Sequence, residues 1–144
     1  MKKGDPFFFL DLKLTLGCII NNRVGGNDMT KKLGFGLMRL PSLDENDPSK
    51  IDIEQVKQMV DTFIENGFTY FDTACGFNSE NAAREALVKR HDRQTYTLAT
   101  KLHSGFIQTK EDRDKIFNEQ LKKTGVEYFD YYLLHDINTH SIET

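Results

Sequence analysis

The sequence is short of most features that mark a specialised class of protein. It has only two cysteines, Cys18 and Cys75. They lie far apart without metal-ligand spacing, which argues against a disulfide framework or a metal site and makes a reducing cytoplasm the simplest compartment. No run of 18 apolar residues occurs, so neither a transmembrane helix nor a membrane partner is expected. Neither sign of charge dominates: 19 Lys and Arg face 22 Asp and Glu, a net charge of −3, with no basic face to recruit a nucleic acid. Internal repeats and low-complexity tracts are absent. So is the glycine pattern of a dinucleotide-binding turn, because Gly34-Phe35-Gly36 is followed by Arg39 where a third glycine would stand. What remains is a mixed-charge chain of 144 residues, 38% of them hydrophobic, enough for one domain with a modest core.

From Met29 onward apolar runs alternate with helical patterns. Residues 33–38 form a short apolar run, read as a strand. A polar loop follows, holding Pro41 and Pro48. Ile53, Val56, Val60, Phe63 and Ile64 then recur at helical spacing, with Asp52 and Gln55 as a capping box and Gly67 as the stop. Residues 68–71 form a second strand ending at Asp72. Ser79 sits at the cap position of a second helix carrying Ala83, Leu87 and Val88. Residues 96–100 form a third strand ending at Lys101. Thr109 and Asp112 open a third helix, with Ile116, Phe117 and Leu121, that Gly125 closes. Residues 128–134 form a fourth strand ending at His135. This alternation at intervals of about 30 residues implies a parallel sheet built from βαβ units. A doubly wound sheet and a (β/α)8 barrel both have that rhythm, and the missing glycine pattern tilts the choice to the barrel.

Three titratable residues, Asp72, Lys101 and His135, each close an apolar strand at its C-terminal end. In (β/α)8 barrels that rim is where reactive side chains collect. A lone Asp, Lys or His is more often a surface ion pair or a helix cap. Three in one topological position suggest a site, in which an Asp–Lys pair lowers the pKa of a neighbouring acid or holds a donor in place, and an imidazole orients a carbonyl oxygen or carries a proton. Cys75 has no paired base to make it a nucleophile. His103 and His140 read as solvated loop residues.

The ordered set Leu33-Gly34-Phe35-Gly36, Phe71-Asp72-Thr73-Ala74, Ser79-Glu80, Thr100-Lys101-Leu102 and Asp130-Tyr131-Tyr132-Leu133-Leu134-His135 resembles the successive strand signatures of aldo-keto reductases. Residues 99–102 and 129–138 are most similar to bacterial members. The resemblance covers residues 29–144 and implies a (β/α)8 barrel that reduces aldehydes or ketones with NADPH. It implies that Asp72, Lys101 and His135 belong to a catalytic tetrad of Asp, Tyr, Lys and His. It also implies that Gly36, Leu37, Met38 and Asp72 border the nicotinamide end of the cofactor.

Two departures qualify the resemblance. Phe77 stands where the family has its Tyr, or else a loop deletion has removed that residue. Loss of a positioned proton donor costs on the order of 10²–10⁴-fold. The chain also stops nine residues after His135, whereas a full barrel takes about 250 residues. It therefore reads as the first four β/α units, a fragment with weak or no activity alone, that pairs with a second half or with itself. A non-catalytic binding or regulatory module without the Tyr is the alternative, and a Schiff-base barrel enzyme using Lys101 is the third reading.

Residues 1–28 stay open. Lys2 and Lys3 before the apolar residues 7–20 faintly suggest a secretory signal, but Asp11 and Lys13 interrupt it and no small-residue cleavage site follows. Leu10, Leu12, Leu14 and Leu16 alternate as in a strand, and the resemblance allows a hairpin beneath the barrel floor. A translated leader also fits. Met29 then begins the protein, and Gly25-Gly26 mark a purine-rich ribosome-binding site.

Overall fold

The computed structural model describes residues 32–75 and 78–137. The readings of residues 1–28, Phe77 and His140 fall outside these described residues. The described chain contains β1 (Gly34–Gly36), α1 (Ile53–Glu65), β2 (Tyr70–Asp72), α2 (Ser79–Ala83), β3 (Thr97–His103), α3 (Lys110–Thr124) and β4 (Tyr131–His135). The four strands form one parallel sheet in the order β1-β2-β3-β4. Sequential parallel strands with helices between them are the repeating unit of a (β/α)8 barrel, of which these are four successive units.

Local chemistry accounts for the helices. The Asp52 carboxylate accepts the Gln55 N–H and starts α1. Val56, Val60 and Phe63 recur along one face of α1 and are buried. Beyond α1, Gly67 takes a positive φ of 78° that a side chain would resist. The capping box of Thr109 and Asp112 forms at the start of α3, and Gly125, at φ 76°, ends it. Lys122 and Lys123 in its last turn oppose the negative end of the helix dipole.

The second helix departs from expectation. Ser79 is its first residue, not its cap. Asn78 holds the cap position in a left-handed conformation, while the Ser79 hydroxyl donates to the Ala74 carbonyl at 2.7 Å and accepts the Ala74 N–H at 3.1 Å. The serine thus pins the loop after β2 to the helix. Past Ala83 the helix widens into a π turn, Arg84–Val88, where the Lys89 N–H reaches the Arg84 carbonyl. Next to it, Arg90 donates to Asp61 of α1 at 2.6 Å and His91 lies 3.0 Å from the same carboxylate.

The core lies between the sheet and its helices. Phe71 is fully buried, with the rings of Phe35, Phe63 and Tyr96 around it. Leu37, Ala86, Leu87 and Leu98 complete the same cluster. Burying a side chain such as Phe71 contributes roughly 1.5–3 kcal/mol. Along β3, Leu98, Thr100 and Leu102 are buried against the helices, and their neighbours face the opposite side. No described helix is long and apolar enough to cross a membrane.

β3 is longer than the sequence suggests. Lys101 does not close it, because β4 pairs with β3 as far as His103↔His135 and carries the strand two residues further. His103, read as a loop residue, is therefore a strand residue on the same face as Lys101.

Candidate active site

Sheet register sets the geometry of the charged residues. Gly36, Asp72, Ala99 and Tyr131 form one cross-strand row. Lys101 and Leu133 make the next row on the same face, and His103 and His135 the one after. Asp72, Lys101 and His135 thus share a face and the C-terminal end of the sheet, but they sit on three successive levels.

The structure brings Asp72 and Lys101 into direct contact. Lys101 Nζ lies 2.5 Å from Asp72 Oδ2 and 2.8 Å from the Thr73 carbonyl. Thr73 is itself fixed, its N–H and hydroxyl both donating to the Ala99 carbonyl. An ammonium has three donors. Two of them hold Lys101 in place, and among the described residues the third is left for an incoming acceptor. Asp72 Oδ1 is buried without a hydrogen-bond partner among the described residues.

His135 does not join this pair. Its exposed ring packs edge-on against His103, with centroids 5.1 Å apart, one level beyond Lys101. His103 Nδ1 accepts the Gly105 N–H at 3.1 Å, and the Phe106 ring stands 4.9 Å from the His103 ring. A neutral His103 therefore carries its proton on Nε2, which lies 3.8 Å from Asp136. The mouth holds two imidazoles where the sequence pointed to one.

Near β1, the Leu37 side chain is wholly buried in the core and its N–H donates to the Asp72 carbonyl at 2.8 Å. Leu37 thus offers the open face no side chain. Met38 is partly exposed, and a Cβ added at Gly36 would meet nothing within 4 Å. Gly36 pairs with Asp72, so this open space lies in the row of the carboxylate and admits a ligand against the backbone, as a nicotinamide nucleotide requires. Cys75 lacks a nucleophile's setting, since burial pushes its thiol up from the ordinary value.

Beneath Lys101 lies a buried polar network that the sequence reading missed. Gln120 of α3 donates to the Lys101 carbonyl at 2.9 Å and receives a hydrogen bond from the Tyr132 hydroxyl at 2.8 Å. Glu80 lies 3.5 Å from the Thr100 hydroxyl, and burial pushes its carboxyl pKa up. A signal was present. Gln120 follows Ile116 and Phe117 at helical spacing and precedes Thr124, so it sits on the inward stripe of α3, where a polar residue needs a partner.

Four successive β/α units with ionisable residues at one end of the sheet define part of a (β/α)8-barrel protein. Residues 32–142 match the Aldo/keto reductase family, and the chain belongs to that family. A 4-dihydromethyl-trisporate dehydrogenase of Mucor mucedo is 39% identical over 94 residues, 60% of this chain and 28% of that protein. An NAD(P)H-dependent D-xylose reductase of Pachysolen tannophilus is 32% identical over 91 residues, 58% of this chain and 27% of that protein. The crystal structure of an aldo/keto reductase from Brucella melitensis matches with a TM-score of 0.54 at 26% identity, over 71% of this chain and 36% of that one. The chain thus spans less than a third of the length of these curated relatives.

Proposed function

We propose that this chain carries part of the active site of a carbonyl reductase that uses NADPH on aldehydes or ketones. The observation that carries the reading is the Asp72–Lys101 pair, anchored at Thr73, with one carboxylate oxygen buried and unpaired among the described residues. Asp72 holds the ammonium. The remaining Lys101 donor faces an oxygen on which charge develops, where a fixed cation is worth more than in water. His135 orients the substrate at the outer level, with His103 beside it. Gly36, the backbone of Leu37, Met38 and Asp72 border the nicotinamide. When bound, the cofactor supplies the hydride.

The sequence favours a second reading, a binding module without turnover, because it lacks the family's Tyr, whether Phe77 replaces that residue or a loop deletion removed it. Two measurements separate the readings. Reduced nicotinamide mononucleotide added to the ¹⁵N-labelled chain is expected to shift the amides of Gly36, Leu37 and Met38, and Asp72→Asn to weaken the response. No shift at those residues rejects the nicotinamide site. Aldehyde-dependent NADPH oxidation is expected to rise by about 10²–10⁴-fold in Phe77→Tyr and to vanish on adding Lys101→Met. Nucleotide binding without oxidation in either form favours the binding module instead.

A further inference from the structure

We infer that Gln120 is a positioning residue for the Lys101 ammonium, completing the backbone of β3 where β2 has already ended. The inference rests on the reading of Asp72 and Lys101 as site residues. In a parallel sheet, alternate carbonyls of a central strand are served by the same neighbouring strand. The Ala99 carbonyl receives the Thr73 N–H at 2.9 Å. The Lys101 carbonyl, two residues on, would need the next donor along β2, but the chain turns away at Cys75. Gln120 Nε2 takes that place at 2.9 Å.

The orientation of the amide is fixed. The Lys101 carbonyl can only accept, so the nitrogen must face it. The Gln120 oxygen then accepts from Tyr132 at 2.8 Å. Burial pushes the Tyr132 hydroxyl up to about 12, so it keeps its proton and remains a donor. The Gln120 nitrogen also lies 3.4 Å from the Thr100 hydroxyl, which neighbours buried Glu80. Gln120 is only 1% exposed. Without its amide the Lys101 carbonyl, in a part-buried setting, would lose that donor. The peptide would rotate to find a donor, and the side chain on the same Cα would move off Asp72 and Thr73.

The test reads the Lys101 side chain directly in the full 144-residue chain. The ¹⁵N-labelled ammonium of Lys101, held by two acceptors, is expected to exchange slowly with water. Gln120→Met keeps volume and removes the donor, and is expected to speed that exchange about tenfold. Exchange at the surface-paired Lys89 should stay unchanged. Tyr132→Phe, which frees the amide to turn, is expected to give a smaller effect of the same sign and serves if Gln120→Met fails to fold. A folded Gln120→Met, or failing that Tyr132→Phe, with unaltered Lys101 exchange overturns the inference. If exchange responds as expected but reduced nicotinamide mononucleotide shifts none of the Gly36, Leu37 and Met38 amides, the functional reading fails while the positioning role stands.

Discussion

At the scale of single residues, the decisive property is how many partners a side chain must satisfy at once. Phe71 shows the apolar case. It lies one position before Asp72, faces the opposite side of the sheet, and packs three aromatic rings around itself. Truncation would leave a cavity that rigid neighbours cannot fill. Phe71→Ala is therefore expected to cost about 3–5 kcal/mol in a urea denaturation experiment. A loss below 1 kcal/mol would mean that the sheet and α1 are not packed as described. Gly34 shows the steric case, because a Cβ there would sit 2.9 Å from the Tyr70 ring. Asp72 could be chosen from its strand-end position in the sequence, and Lys101 from the apolar run it follows, although β3 continues two residues beyond it. Gln120 could be marked as an inward polar residue but not given its partner, a backbone carbonyl 19 residues away whose need arises only when β2 ends early.

At the scale of elements, helix signals carry further than strand signals. Asp52, Thr109 with Asp112, Gly67 and Gly125 each act where the sequence places them, since capping is decided within a few residues. The end of β3 is set by pairing with β4, a long-range interaction that local pattern does not encode. Ser79 failed as a cap for a similar reason, as its hydroxyl finds Ala74 across the loop. Glu80 beside it offers a test of how α2 meets α3. Its carboxyl is almost fully buried and its pKa is raised, first by desolvation, with Lys123 at 3.9 Å opposing the shift only in part. An acid whose folded pKa is raised helps folding fully below its unfolded value, and that help is lost as pH rises through the folded value. Glu80→Gln should consequently gain in melting temperature relative to the parent as pH rises from the ordinary value of 4.5 toward neutrality. A difference that stays flat, or shrinks, over that range would show that Glu80 is solvated or fully paired.

At the scale of the whole molecule, helices cover one face of the described sheet but leave Leu134 of β4 exposed there, and the other face is open. The open face carries Tyr131, Leu133 and His135 of β4, which in a closed (β/α)8 barrel would point into the interior. β2 and β3 each have strands on both sides, whereas β1 and β4 have one described neighbour each. Stability should follow that order. Hydrogen exchange is expected to be slowest at Phe71, Leu98 and Thr100, and markedly faster at Gly34 and His135. Uniform protection across all four strands would contradict the described edges.

The sequence by itself determined the order of strands and helices, the barrel class and the strand-end positions of Asp72 and His135. Period-two and period-3.6 patterns, caps and turn glycines are local, and local interactions are written in neighbouring residues. Tertiary structure alone decided the rest: the extra length of β3, the inward place of His103, the separation of His135 from the Asp72–Lys101 pair by one sheet level, and the Gln120 contact. Each depends on which strand pairs with which and where that pairing stops, and register joins residues too distant in the chain for any local pattern to record.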